Sequence, residues 1–354
     1  MSDSLAHLLG MLPADLVEAL ATRGVQATLP EARRVLASII SDGQPRPAPR
    51  VPVRREVRLA VEQHFAWQPL ELVERVHDDV DGFVKYLFRS PDGALSEAVR
   101  IPLEREGTFS VCLSSQVGCA MRCDFCATGR LGLVRNLAAW EIVAAFTAVR
   151  DDTDGRLSGA VFMGQGEPFH NYDEVIQAAK VLSDPCGGRV SNKAITISTV
   201  GLIPQIRRFT AEGHKFRLIV SLHSALPERR KKLLPVAGKL SLFDLRDALR
   251  AHAEATHDRV TVAWTVMSGV NTGHDEVEAL CELLEGIPVR LNLIDVNDAR
   301  PDGYQRASAA EYRAFLDGLQ ALKAPIVRRY SGGANRHAAC GMLAATRWAE
   351  GPQA

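Results

Sequence analysis

The 354-residue sequence has no run of about 18 uncharged apolar residues, so no helix is expected to cross a membrane. Its start, Met1-Ser2-Asp3, lacks the basic-then-apolar layout of a secretory leader, and a cytoplasmic protein is expected. Net charge is also missing. The 42 basic residues balance 42 acidic ones, which neither requires nor excludes nucleic acid, because a local patch can bind phosphates. Cysteine is scarce and odd in number: of seven, three crowd together and the rest are scattered. In a reducing compartment that pattern points to metal or catalysis more than to a disulfide framework. What is present is ordinary for a globular protein, with 46% hydrophobic and 24% charged residues. The length suits a large domain with a smaller appendage.

Residues 13–41 read as two short helices, with Leu16, Val17 and Leu20 on one apolar face and Val35, Leu36, Ile39 and Ile40 on the other. Asp42-Gly43 ends the second, and 44–50 is a Pro-rich linker. Arg46, Arg50, Arg54, Arg55 and Arg58 follow with little acid among them, which reads either as a solvated linker or as an RNA contact. Residues 70–103 read as extended segments with Asp-Gly turns at 81–82 and 92–93. From residue 108 strands and helices alternate. Strand candidates are 108–114, 160–163, 194–199, 217–223, 260–267 and 289–295; helices are 138–150, 173–183, 203–211, 241–255, 275–285 and 309–322. Ile326 to Tyr330 is a last strand candidate. Repeated strand–helix units imply a parallel sheet, open or curled into a barrel. Chemistry in such sheets lies beyond the carboxyl ends of the strands, so motif residues should follow strand candidates directly.

The sharpest motif does so. Cys119, Cys123 and Cys126 lie in the loop after the first of these strands with C-x3-C-x2-C spacing. Three thiolates can each bind one iron of a cubane and leave the fourth iron open to a cofactor. The competing reading is a zinc site, but structural zinc usually takes four ligands and no fourth lies nearby. The spacing, with Phe125 before the third cysteine, resembles the radical S-adenosylmethionine (SAM) superfamily. That resemblance implies a [4Fe–4S] cluster whose open iron binds the amino and carboxylate groups of the cofactor's methionine. It also implies a Gly-rich segment after the second strand, where Gly164-Gln165-Gly166-Glu167-Pro168 occurs. Glycines admit close approach of a ligand to the backbone, and a carboxylate accepts from an ammonium.

A closer resemblance rests on Val111-Cys112-Leu113-Ser114-Ser115-Gln116-Val117-Gly118-Cys119, Met163 to Pro168, Ser198-Thr199, Ser221-Leu222-His223 and Ala338-Ala339-Cys340-Gly341. Over residues 70–345 the sequence resembles the RlmN/Cfr family of RNA adenine methyltransferases. The fold this implies is α/β: a partial (β/α)6 TIM-like barrel with a small N-terminal helical domain. The segments are then 1–45 for the helical domain, 46–105 for a basic linker and hairpin segment, 106–345 for the radical SAM barrel and 346–354 for a tail.

The resemblance implies two SAM molecules per turnover. One methylates Cys340; the second, cleaved by the reduced cluster, gives a 5′-deoxyadenosyl radical that takes hydrogen from that methyl group. The carbon radical adds to an adenine ring carbon, and Cys112 resolves the adduct through a disulfide with Cys340. Without the family, the chemical need is still visible: the ring carbon has no acidic proton, which closes direct attack on a methyl sulfonium. Taken singly, Cys112 reads as a core strand residue and Cys340 as a packed helix residue. Glu97 takes the place of the family's proposed proton acceptor, although two extra residues separate it from Cys112 and a surface strand glutamate is the alternative. Cofactor contacts carried over are Gly166, Glu167, Ser198, Ser221, Leu222, His223 and Asn297; a core-satisfying role is the alternative for His223. Implied partners are ribosomal RNA or transfer RNA and an electron donor such as flavodoxin or ferredoxin.

The sequence departs from the family near Cys340. Asp295-Val296 replaces Pro-Trp, Asn335-Arg336-His337 replaces an acidic stretch, and Met342 stands where glutamine is common. The reading the resemblance implies is C2 methylation in ribosomal or transfer RNA, with C8 methylation or a different RNA as the alternative. A non-catalytic iron–sulfur or zinc RNA-binding protein is the reading from another class, which has no use for Cys112 and Cys340. The basic run Arg229-Arg230-Lys231-Lys232 reads as a phosphate contact or a solvated face.

Overall fold

The computed structural model describes residues 5–298, 300–329, 332–334 and 337–344. The segment 346–354, Tyr330, Asn335 and Arg336 lie outside the described residues. One sheet of ten strands organises the chain: β1 (Glu71–His77), β2 (Val84–Arg89), β3 (Leu95–Pro102), β4 (Thr108–Leu113), β5 (Arg156–Phe162), β6 (Ile195–Thr199), β7 (Arg217–Ser221), β8 (Val260–Val266), β9 (Val289–Asp295) and β10 (Ile326–Arg329). Spatial order follows chain order. β1 to β4 form an antiparallel meander, and β4 to β10 are parallel.

Helices Ala139–Asp151, Tyr172–Ser183, Ile203–Ala211, Leu242–Thr256, His274–Leu283 and Ala309–Leu319 make the crossovers of the parallel part. The strands alternate as a period of two requires. Val111, Leu113, Ala160, Phe162, Ile197 and Val262 pack outward into the main core beneath the helices. Cys112 and Val161, and in a separate cluster Ile219, Ala263 and Ile294, point inward. Met163 touches that second cluster and also accepts from Arg329 Nη1 at 3.4 Å, so the end of β10 bends over to the end of β5. The curve is a partial barrel: β10 and β1 are the two edges of the sheet.

At the N-terminus, helices Pro13–Ala21 and Leu29–Ile40 match the apolar stripes read from the sequence. Thr28 and Glu31 cap the second reciprocally, Thr28 N donating to Glu31 at 2.9 Å and Glu31 N to Thr28 Oγ1 at 3.4 Å. The stretch read as a basic linker contains a helix, Arg55–His64, that buries Val57, Ala60 and Val61. Three of the run's five arginines pair with carboxylates, Arg50 among them at 3.6 Å from Asp42. Arg54 bonds Glu31 at 2.8 Å and Arg58 bonds Glu62 at 3.0 Å, so the run offers phosphates less charge than its composition suggests. Among the described residues no helix is long and apolar enough to cross a membrane.

Candidate active site

The cysteine loop is clamped at both ends. After β4 a short strand, Gln116–Gly118, pairs antiparallel with Leu133–Asn136 and pinches off residues 119–132. Gly118 has φ +75°, and a Cβ there would stand 1.9 Å from the Gly132 carbonyl oxygen. That closeness lets Cys119 N donate to the same oxygen at 2.8 Å. A Cβ on Gly129 would lie 2.8 Å from both N and O of Cys123. Two further chain segments hold the loop: Asp124 N donates to Leu233 O at 3.0 Å, and Ala127 N to Gly341 O at 2.7 Å. Cys119 is buried; Cys123 and Cys126 are half-buried. Burial pushes the Cys119 thiol up to about 12 and raises Cys123 and Cys126 as well, so thiolates here require a cationic group to bind. Among the described residues no three His, Cys, Asp or Glu side chains converge on a point suited to a single metal ion. A cubane asks for a different layout, one thiolate per iron corner.

Beside this loop, the turn after β5 lies against the turn after β4. A Cβ on Gly164 would meet Leu113 C and O at 2.8 Å, and one on Gly166 would meet Gln116 Cβ at 2.6 Å. Glu167 is buried, and its carboxylate accepts from Phe169 N at 3.0 Å and Val200 N at 2.9 Å. Burial pushes it up to about 7. The Thr199 hydroxyl is a third hydrogen-bond partner of this carboxylate.

The remaining rim residues follow successive strands, as the strand-end rule expects. Ser198 Oγ and Ser221 Oγ lie 3.2 Å apart. Leu222 differs from its neighbours: its side chain packs in the main core, its amide donates to Ala263 O at 3.1 Å and its carbonyl accepts from Ser224 N at 2.8 Å. His223 sits at φ +59° with Nδ1 accepting from Thr265 N at 2.9 Å, which puts the ring proton on Nε2. Burial pulls it down to about 3, and Arg230 adds to that, so the ring is neutral. Its ring packs edge-to-face with Phe125, 5.0 Å between centroids at 73°, directly beside the cysteine loop. Asn297 is buried after β9 and accepts from Arg306.

Two residues of this rim were missed from sequence. Asn271 is buried and ties the His223 turn to β8, donating to His223 O at 2.7 Å and Thr265 O at 2.8 Å while accepting from Met267 N at 2.9 Å. A polar residue soon after strand 260–267 was its one signal. Arg230 was read as part of a surface charge run; it is buried, with Nη1 on Ala237 O at 2.6 Å and Nη2 on Val200 O at 2.7 Å. Of that run Arg229 is paired with Asp275 and Glu276, and Lys231 and Lys232 are exposed.

Cys112 and Cys340, 228 positions apart by subtraction of their residue numbers, line one cavity together with Cys126, Phe83, Met163 and Arg329. Cys112 is buried, and Cys340 is exposed in a turn, not packed in a helix. Burial pushes Cys112 up to about 12, with Cys340 close enough to add to the shift and Arg329 opposing it. Glu97 is not a surface residue. It is buried and paired with Lys85, Nζ to Oε1 3.2 Å, on the β3 face shared with the cavity-lining Val99 and Ile101.

This arrangement has known counterparts. A family model described as the radical SAM superfamily matches residues 113–324. A "probable RNA methyltransferase" of Anaeromyxobacter sp. (strain Fw109-5) is 50% identical over 95% of this chain and 98% of its own. A "probable dual-specificity RNA methyltransferase RlmN" of Alkaliphilus oremlandii is 36% identical over 77% of this chain and 79% of its own. The crystal structure of a radical SAM methyltransferase from Sphaerobacter thermophilus superposes with a TM-score of 0.85 at 33% identity, covering 96% of this chain and all of that one. The chain belongs to the RlmN/Cfr family of radical SAM enzymes. It is a methyltransferase, and the family's cofactors are a [4Fe–4S] cluster and SAM. The site fits them: three thiols on a loop closed by Gly118 and Gly129, beside a cradle at Gly164 and Gly166 that any Cβ would fill.

Proposed function

We propose that the enzyme methylates a ring carbon of adenosine, C2, in ribosomal or transfer RNA, with Cys340 carrying the methyl carbon and Cys112 releasing the product. The observation that supports it is the single cavity lined by Cys112, Cys340 and the cluster ligand Cys126. When bound, the cluster and two SAM molecules per turnover supply a methyl group and a carbon-centred oxidant. Cys119, Cys123 and Cys126 would hold the cluster; Gly166, Glu167, Ser198, Ser221, His223, Asn297 and the Leu222 backbone surround the place for SAM. Cys340, exposed, is accessible for methylation. Cys112, on the inner face of β4, lines the same cavity and is the thiol that attacks the Cys340 sulfur in this reading. In the adduct the methyl carbon bridges the Cys340 sulfur and the base, the ring proton and one surplus electron having left, the electron to the protein electron carrier. Forming the S–S bond breaks the C–S bond, whose electron pair stays on the carbon and takes up a proton to complete the methyl group. Two equivalents of an external thiol restore both cysteines. Glu97 is the candidate acceptor for the ring proton, and a flavodoxin- or ferredoxin-type protein the candidate electron donor.

Cys112→Ala tests the division of labour. The variant should accumulate RNA covalently attached through Cys340, seen as a retarded band sensitive to ribonuclease and absent from Cys112→Ala/Cys340→Ala. No adduct in the single variant removes the carrier role. Nucleoside mass spectrometry of the released base decides C2 against C8.

A further inference from the structure

Arg230 is only 1% exposed, and among the described residues no carboxylate forms an ion pair with it. Its neighbour Arg229 takes Asp275 and Glu276 instead. Two backbone carbonyls accept from Nη1 and Nη2, while Nε has no acceptor among the described residues. A buried cation without an anion is costly, and a fold that keeps one implies an anion yet to arrive.

The position says which. Arg230 lies on the helix Pro227–Leu233, whose Leu233 carbonyl accepts from Asp124 in the cysteine loop. Val200, whose carbonyl takes Nη2, shares one apolar cluster with Cys119, Met121 and Leu233, against which Cys123 packs. We propose that Arg230 is the resident counter-cation of the iron–sulfur cluster and sets how readily the cluster accepts its electron. A [4Fe–4S]2+ core with three thiolates carries one net negative charge, and two after reduction. A fixed positive charge in a poorly polar wall therefore favours the reduced form more than the oxidised one. The proposal rests on the radical SAM assignment of the cysteine loop. The rival anion for this guanidinium is the carboxylate of the cofactor's methionine.

Two full-length variants, anaerobically reconstituted, separate charge from architecture. Arg230→Gln keeps a donor for one carbonyl and removes the charge; Arg230→Lys keeps the charge and loses one bond. The midpoint potential is read by electron paramagnetic resonance during a redox titration without SAM, and SAM affinity by equilibrium dialysis. Arg230→Gln should shift the midpoint to more negative potential, Arg230→Lys should stay near the parent, and SAM affinity should change less than threefold in both. Should Arg230→Gln not fold, Arg230→Met gives the charge-free reading. An unchanged midpoint in the charge-free variant, or equal shifts in it and Arg230→Lys, overturns the proposal. So does a large loss of SAM affinity at constant potential, which assigns Arg230 to the carboxylate. Failure of the parent protein to take up a cluster would instead count against the site itself.

Discussion

Gly118→Ala is a sharp test of how the cysteine loop is built. The residue has φ +75°, and its new Cβ would fall 1.9 Å from the Gly132 oxygen, less than any carbon–oxygen contact allows. The left-handed conformation costs roughly 1 kcal/mol for a residue other than glycine. Relieving the overlap means parting the Gln116–Gly118 and Leu133–Asn136 ladder, which breaks the 2.8 Å Cys119–Gly132 bond. A lost buried hydrogen bond is worth roughly 1 kcal/mol and forced overpacking roughly 1–3 kcal/mol. The sum, about 3–5 kcal/mol, falls on the strand leading into Cys119. Gly93→Ala is the matched control, since Gly93 has φ +85° with nothing within 4 Å of its Cβ position. Iron and sulfide content after anaerobic reconstitution should fall severalfold in Gly118→Ala and stay at the parental level in Gly93→Ala. Equal iron content in the two would refute the clamp.

Glu167 predicts a pH dependence in cofactor-free protein. Burial raises its carboxyl from 4.5 to about 7, so between those values the folded state holds a proton that the unfolded state has lost. Its contribution is full below pH 4.5 and fades as pH rises to about 7, by about 3 kcal/mol. In urea unfolding, the parent's stability relative to Glu167→Gln, whose amide does not titrate, should fall by about 3 kcal/mol from pH 5 to pH 8; a constant difference contradicts the burial argument. For the buried Lys85–Glu97 pair, Lys85→Met or Glu97→Leu alone should cost roughly 3–5 kcal/mol, and the double variant less than either, because an orphaned charge is worse than none. Additive costs would show that the two do not interact. Asn271→Leu loses three hydrogen bonds around the His223 turn, roughly 3 kcal/mol in all, and should weaken SAM binding as that turn loosens. Retained SAM affinity would separate the turn from the cofactor.

The alternating half was legible because each strand carries a run of apolar residues and each crossover helix a stripe, both local signals. β5 was read from Ala160 instead of Arg156, since Arg156-Leu157-Ser158-Gly159 is too polar to announce a strand. Helix Arg55–His64 was missed because its arginines outweigh Val57, Ala60 and Val61, a spacing that fits a helix in retrospect. The cysteine loop was legible as a motif, but its clamp was not: the ladder is too short to show a period. Burial of Glu97 and Arg230 was equally hidden. Arg230 stands in a run of charged residues and Glu97 is a single carboxylate in a mostly apolar strand, and only tertiary packing decides that one meets the wall beside Cys123 and the other Lys85. The pairing of Cys112 with Cys340 came from family resemblance, since nothing local joins residues so distant in the chain.

The central claim is that the methyl carbon travels through a protein thiol. It is tested by supplying the reconstituted enzyme and substrate RNA with SAM whose methyl group carries three deuteriums. After single-turnover pre-exchange of Cys340 with the labelled methyl, hydrogen removal from that methyl leaves two deuteriums on the methylated adenosine and one in 5′-deoxyadenosine. A product that keeps all three would mean direct transfer and contradict the roles given to Cys340 and Cys112.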